Sequence, residues 1–432
     1  MRSVATVARQ RKYESKRMSL LGCKTINNPS PGTNRPVVFR DLMPEIPSTT
    51  YATFGLYKYP AKFIPQVIAY ALTTYGRSGM NVIDPFAGYG TVGTVARLLG
   101  NDYELWDLNP LLEYLHSVAI MKPVDVDSDA LVQRMMAHNR GFIPDWSNVA
   151  YWYPEEFLPM LFKAWGFYHS LEDEKLRRVL LIPLLRATHY FSYNDEKRQK
   201  LSRSPLAKRR TDRLQAQDWR NIFAAMVSKG ISEILRRLKE YDELRPKPVK
   251  CAIRAGIDAL TQDFDGEKDI LITSPPYLQA QEYIRATKMD LFWLGYTEET
   301  IRGLSKKEFP YQDVPKITIY SGTYAKCLDG ITEPHMSRLF ERYFYGVLGT
   351  LTRLQGHISK KLLLFVGPAT IRTVPIPIDQ IFVEHFQALG WKHEITLVDT
   401  IVARAMFFYK FNPATGAKDR RMATEHLVVL SK

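Results

Sequence analysis

Cysteine is scarce in this chain. Its 432 residues include three, Cys23, Cys251 and Cys327, far apart and with no Cys-x-x-Cys pair. That spacing offers neither a disulfide framework nor a zinc cluster, and a reducing, intracellular setting is the expectation. The nine histidines contain no His-x-x-x-His pair, so no metal site is expected. No apolar run approaches the ~18 residues of a membrane span. The basic N-terminus lacks the apolar stretch of a secretory signal. Acidic residues are also in deficit: 45 Asp plus Glu against 59 Lys plus Arg leave a net charge of +14. Such an excess favours polyanionic partners, nucleic acid first. The rest of the composition, 45% hydrophobic and 24% charged, is that of a globular chain and excludes a wholly disordered one. At roughly 150 residues per domain, the length suits two or three domains.

Residues 1–45 read as a basic, partly disordered arm, with Arg9, Arg11, Lys12, Lys16 and Arg17 crowded together and a Pro/Asn/Gly-rich stretch behind them. This is either a solvated tail or an arm that touches nucleic acid. Over 46–120 the pattern becomes strand, glycine turn, helix, strand: NVIDP, then TVGTVARLLG, then YELWD. That succession opens a parallel α/β sheet. Helical periodicity dominates 121–249, which reads as an insertion and a candidate target-recognition region. The alternating theme resumes over 250–432 with VKCAIRAG, DILITS, KLLLFVG, HEITLVDTIVA and EHLVVLS as strands. The predicted fold is a Rossmann-like, doubly wound, mostly parallel seven-stranded sheet with a helical insertion.

Two motifs carry chemistry. Gly88, Gly90 and Gly93 form Gly-x-Gly-x-x-Gly after a strand and at a helix start, and Asp107 ends the next strand about twenty residues on. Glycine lets the backbone approach a ligand, the helix N-terminus favours an anionic group, and the acid accepts bonds from ribose hydroxyls. Several nucleotide cofactors share this physics, so a nicotinamide oxidoreductase fits the turn as well. The second motif is Thr273-Ser274-Pro275-Pro276-Tyr277, directly after DILI. Two prolines fix φ near −65° and remove two backbone donors. The stiffened turn leaves acceptor oxygens free to face an amino group.

The flanking residues narrow the choice. Asp84-Pro85-Phe86-Ala87-Gly88-Tyr89-Gly90-Thr91 resembles motif I of S-adenosylmethionine-dependent amino-methyltransferases, Lys62-Phe63 their preceding motif X, and Asp107-Leu108-Asn109-Pro110 their second acidic motif. The Ser-Pro-Pro-Tyr turn resembles that of the cytosine-N4 DNA enzymes; adenine-N6 relatives usually carry Asp or Asn at the serine. The resemblance covers most of 57–120 and 250–432, including the less diagnostic NPATG segment. It implies S-adenosyl-L-methionine held by Lys62, Phe63, Asp84, Pro85, Phe86, Gly88, Gly90, Thr91, Asp107, Asn109, Asp258 and Thr273. Ser274, Pro275, Pro276 and Tyr277 would carry methyl transfer to an extruded base in double-stranded DNA. It also implies a cytoplasmic, nucleoid-associated prokaryotic enzyme, often paired with a restriction endonuclease. A carbon-5 methyltransferase needs a cysteine nucleophile after a proline, and this chain has none. Adenine-N6 transfer, an RNA amino-methyltransferase, an NAD(P)-dependent oxidoreductase and a non-catalytic nucleic-acid binder remain the alternatives.

Between the long helices of the insertion lie eight basic residues, Lys197, Arg198, Lys200, Arg203, Lys208, Arg209, Arg210 and Arg213, just after Tyr190, Phe191 and Tyr193. Cations beside aromatics suit phosphate neutralisation with base contact, so this segment is the expected DNA grip. The loop Lys306 to Lys326, with Tyr311, Tyr320 and Tyr324, is a second candidate.

Overall fold

A computed structural model describes residues 32–198, 200–264, 266–278, 282–401 and 423–432. Arg9, Arg11, Lys12, Lys16, Arg17, Cys23 and the NPATG segment lie outside the described residues. The strands are β1 Thr33–Val37, β2 Asn81–Asp84, β3 Asp102–Asp107, β4 Cys251–Ala255, β5 Lys268–Thr273, β6 Ile358–Val366, β7 Ala369–Ile371, β8 Val374–Ile376, β9 Lys392–Thr400 and β10 Thr424–Ser431. Helices α1 Phe39–Leu42, α2 Pro65–Tyr75, α3 Thr91–Leu99 and α4 Leu111–Ala119 accompany the first strands. Then come α5 Ser128–Ala137, α6 Val149–Trp152, α7 Leu158–Ser170, α8 Glu174–Tyr190, α9 Pro205–Gln215 and α10 Trp219–Glu243. The second half carries α11 Tyr283–Trp293, α12 Glu298–Lys306, α13 Gly322–Gly330, α14 Pro334–Gln355 and α15 Ile378–Ala388.

The main sheet runs β1-β9-β10-β6-β5-β2-β3-β4, with β10 antiparallel to both neighbours and every other pairing parallel. It is the doubly wound, mostly parallel sheet expected, with an eighth strand added. That strand corrects the expected arm: from Thr33 to Val37 the chain pairs with β9, Thr33 opposite Ile395 and Val37 opposite Asp399. Pro36 is tolerated there because β1 is an edge strand, where a missing N–H costs no ladder bond.

The central strands read as unbroken apolar runs because both faces are covered. Val82 and Ile270 point into a core that includes Val67, Val92 and Val95 from α2 and α3. Their neighbours Ile83 and Leu271 point into the opposite core, with Phe344 and Val347 of α14 and Phe382 of α15. A third core joins α5, α7, α8 and α10 to Phe292 and Trp293 of α11, where Trp165 stacks on Trp293 at 5.7 Å. The helices between α4 and β4 are therefore docked onto α11, in the half of the chain that follows β4. Fully buried Asp290 reinforces that junction, hydrogen-bonded to Tyr57 Oη at 2.7 Å and His189 Nε2 at 2.9 Å.

The first strand of the doubly wound half, β2, pairs with β3 on one side and β5 on the other. Connections diverge here, so a crevice opens outside the carboxyl ends of the strands. The Gly-x-Gly turn follows β2 and the Ser-Pro-Pro turn follows β5, and their adjacency is a consequence of strand order. No described helix is long and apolar enough to cross a membrane.

Candidate active site

The crevice is a cleft of about 830 Å³, lined by residues 59–63, 85–89, 107–109, 258–259, Ser274, Pro276, Tyr283, Ile284 and 307–309. It joins the two motifs, distant in sequence, in one space.

Asp107, at the end of β3, organises one wall. Its Oδ2 accepts the Gly88 N–H and its Oδ1 the Asn109 N–H, each at 2.7 Å. The carboxylate thus ties the β2 turn to the β3 turn while keeping lone pairs toward the cleft. Burial pushes its pKa up to about 6 against the pull of those two N–H groups. Gly88 has φ +52°, and a Cβ there would stand 3.1 Å from the Tyr59 ring across the cleft, so glycine keeps this wall open. Phe86 offers a half-buried ring edge-on to Phe309, centroids 6.2 Å apart.

Asp84 behaves differently from the expectation. It is buried beneath the cleft, where its Oδ1 accepts the Thr273 hydroxyl at 2.6 Å and the Phe86 N–H at 3.1 Å. Burial raises its carboxyl to about 7. Asp84 and Thr273 therefore clamp β2 to β5 rather than face a ligand. Gly90 and Thr91 are also buried away from the cleft. Gly90, with φ +82°, brings the start of α3 against α4, where a Cβ would meet His116 Nδ1 at 2.6 Å. Lys62 lines the cleft, yet its Nζ donates to the Thr49 and Phe54 carbonyls and sits over the Tyr89 ring. Burial, with Arg237 nearby, lowers its pKa to about 8. Phe63 stacks on Phe365 at 5.3 Å, fixing the segment to the sheet. Asn109 bridges to α11 through a 2.8 Å bond from Nδ2 to Thr287 Oγ1. Asp258 lines the cleft; Leu260 N–H donates to its Oδ1 at 3.0 Å and the Gln312 amide to its Oδ2.

Of the Ser-Pro-Pro-Tyr turn, Ser274 and Pro276 face the cleft and Pro275 is buried. Tyr277 is directed elsewhere: its hydroxyl donates to Glu425, a buried carboxylate on β10, and its ring is no part of the cleft wall. Sequence reasoning missed Tyr59, Tyr283 and Glu308. The Glu308 Oε1 accepts the Ile284 N–H at 2.8 Å, and burial raises this carboxyl to about 7. Its only sequence signal was membership of the loop after α12.

The basic segment divides in two. It is not one loop, since α9 begins at Pro205. Arg210 donates to the Ser192 and Asn194 carbonyls at 2.7 and 3.0 Å, pairs with Glu196 and lies on Tyr190, so it is a structural clamp. Lys200 pairs with Glu282 at 2.7 Å and Arg198 with Asp195 at 3.5 Å. Arg203 is held between the rings of Tyr151 and Tyr193, at 4.3 and 4.5 Å. Lys197, Lys208, Arg209 and Arg213 are exposed. Phe191 belongs to the core and offers no base contact. In the second candidate loop Tyr324 is buried against Phe340, whereas Tyr311 and Tyr320, the latter stacked on His385, are exposed. Among the described residues, no group of three His, Cys, Asp or Glu side chains is placed to hold a metal ion.

No family model and no curated protein matches the sequence. Two solved structures of the rRNA methyltransferase aviRa from Streptomyces viridochromogenes are similar to it. One is 12% identical over 72% of this chain and 77% of that one, with a TM-score of 0.25. The other is 11% identical over 87% and 88%, with a TM-score of 0.27. Values this low assign no activity.

Proposed function

We propose that this chain is an S-adenosylmethionine-dependent methyltransferase acting on an exocyclic amino nitrogen in nucleic acid, with N4 of cytosine in DNA as the target. One observation carries the reading: Ser274 and Pro276 share a cleft with Gly88, Phe86 and Asp107. The donor set suits the cofactor. Asp107 offers acceptors for ribose hydroxyls, the Gly88 backbone permits close approach, and Phe86 and Phe309 present ring surface to an adenine. When bound, the cofactor supplies an electrophilic methyl on a sulfonium.

The chain's own residues then have defined tasks. An aromatic amino nitrogen is a poor nucleophile because its lone pair is shared with the ring. Hydrogen bonds from its two protons to Ser274 Oγ and the Pro275 carbonyl would hold it nearer tetrahedral, with the lone pair aimed at the methyl. Orientation of this kind can remove several kcal/mol from a barrier. As the new N–C bond forms, the nitrogen sheds a proton. Glu308, in the same cleft and with a pKa near neutrality, is matched to receive it.

The test offers the full chain labelled cofactor with duplex DNA, single-stranded DNA and structured RNA, then identifies methylated nucleosides by mass. N4-methyldeoxycytidine is expected. N6-methyladenine would move the base assignment, label only in RNA would move the substrate, and no incorporation despite S-adenosylhomocysteine binding would overturn the reading.

A further inference from the structure

A second cleft, of about 1390 Å³, adjoins the first, and Glu308 is in the wall of both. One side comes from α6 and the segment before α9; the other comes from α11, the end of α12 and Tyr311. Two features distinguish it from ordinary surface. Tyr151 and Tyr311 are 54% and 47% exposed, large rings left open to solvent at a cleft. Cations stand among them. Arg203 is pre-positioned between Tyr151 and Tyr193, and Arg285 and Lys288 reach in from α11. The acids facing them are Glu282, already shared by Lys200 at 2.7 Å and Arg285 at 3.2 Å, and Glu308, largely protonated below neutrality. The cleft is therefore net positive.

Paired bases in a duplex show a protein only their edges; their faces become available when a strand is unpaired. Open aromatic rings among cations match that unpaired form, since ring faces stack on any base while cations follow the phosphates. We propose that this cleft binds a single-stranded stretch of DNA, the nucleotides flanking the base delivered to the Ser274 turn. Flanking bases stack on Tyr151 and Tyr311, and their phosphates meet Arg203, Arg285 and Lys288. The inference rests on the methyl-transfer reading for its orientation, but binding tests it alone.

Fluorescence anisotropy of the full chain with a short labelled single-stranded oligodeoxynucleotide, and with the duplex of the same sequence, is the experiment. The single strand binds more tightly than the duplex. Tyr151→Ala and Tyr311→Ala, both at exposed positions, each weaken single-strand binding about tenfold, the scale of one lost stacking contact. Arg285→Gln with Lys288→Gln lowers the slope of log affinity against log salt by about 1.4, the value for two phosphates on a single strand. Wild-type affinity in both tyrosine variants, or preference for duplex, overturns the proposal. Calorimetry with S-adenosylhomocysteine separates the two readings. No cofactor binding with tyrosine-sensitive DNA binding removes methyl transfer and keeps the groove; the converse removes the groove alone.

Discussion

The buried carboxyl of Asp84 gives a prediction that separates its structural role from the ligand role its position in the motif suggests. Asp84 lies under the cleft floor, hydrogen-bonded to the Thr273 hydroxyl and the Phe86 N–H. Burial raises its pKa from 3.8 to about 7. The folded state therefore holds this proton more tightly than the unfolded chain does. The associated stability is fully present below pH 3.8 and is lost as pH rises through about 7. At about 1.4 kcal/mol per unit, that window has a ceiling of about 4 kcal/mol. Asp84→Asn keeps the shape and an acceptor for Thr273 but never carries the charge. Urea unfolding of both proteins from pH 4.5 to 8 reads the difference, and comparing variant with wild type cancels the other titrating groups. The variant gains on wild type as pH rises, by a few kcal/mol across the window. A difference that stays flat with pH would show that Asp84 is ionised without cost and refute the reasoning. The same variant binds S-adenosylhomocysteine with nearly unchanged affinity; a large loss would return Asp84 to the ligand set.

Other substitutions probe the cleft and the basic segment. Asp107→Asn replaces one acceptor with a donor opposite a backbone N–H, so calorimetry shows S-adenosylhomocysteine binding at least tenfold weaker, consistent with losing a charge-assisted bond. Ser274→Ala leaves that affinity unchanged while single-turnover methyl transfer falls about a hundredfold; slow transfer caused by weak cofactor binding would refute the assignment. Wild-type transfer rises with pH through about 7 as Glu308 ionises, and Glu308→Gln loses that limb of the rate profile. Arg210→Ala costs about 2 kcal/mol in urea unfolding, because two carbonyls lose a charged donor. Arg209→Ala stays within about 0.5 kcal/mol of wild type and instead weakens nucleic-acid binding.

How far the sequence discloses this molecule follows from which interactions are local. The strands β2, β5 and β6 are legible because burial on both faces demands continuous apolar runs, and glycine or proline marks where each ends. With strand order granted, the Gly-x-Gly and Ser-Pro-Pro turns must meet, and they do. β1 was illegible. TNRPV has no apolar alternation, and it becomes a strand because β9 otherwise presents unpaired backbone at the sheet edge.

Asp84 and Asp107 show the same limit at the scale of single side chains. Each is an acid ending a strand, and nothing in the flanking sequence says which of the two faces the cleft. Their fates diverge through neighbours. β2 is flanked by β5, so a threonine hydroxyl lies against Asp84, and the floor closes over it. β3 is flanked by β2 and β4, so Asp107 stays at the crevice lip with only backbone N–H groups on its oxygens. Glu308 is the complementary case, a residue in no motif that enters the cleft because α11 and α12 pack as they do. A motif thus identifies which loops form the site, whereas the strand or helix beside each loop decides which side chain faces the ligand. On that argument the residues most worth substituting are those where motif and packing disagree, with Asp84 and Tyr277 on one side and Glu308 on the other.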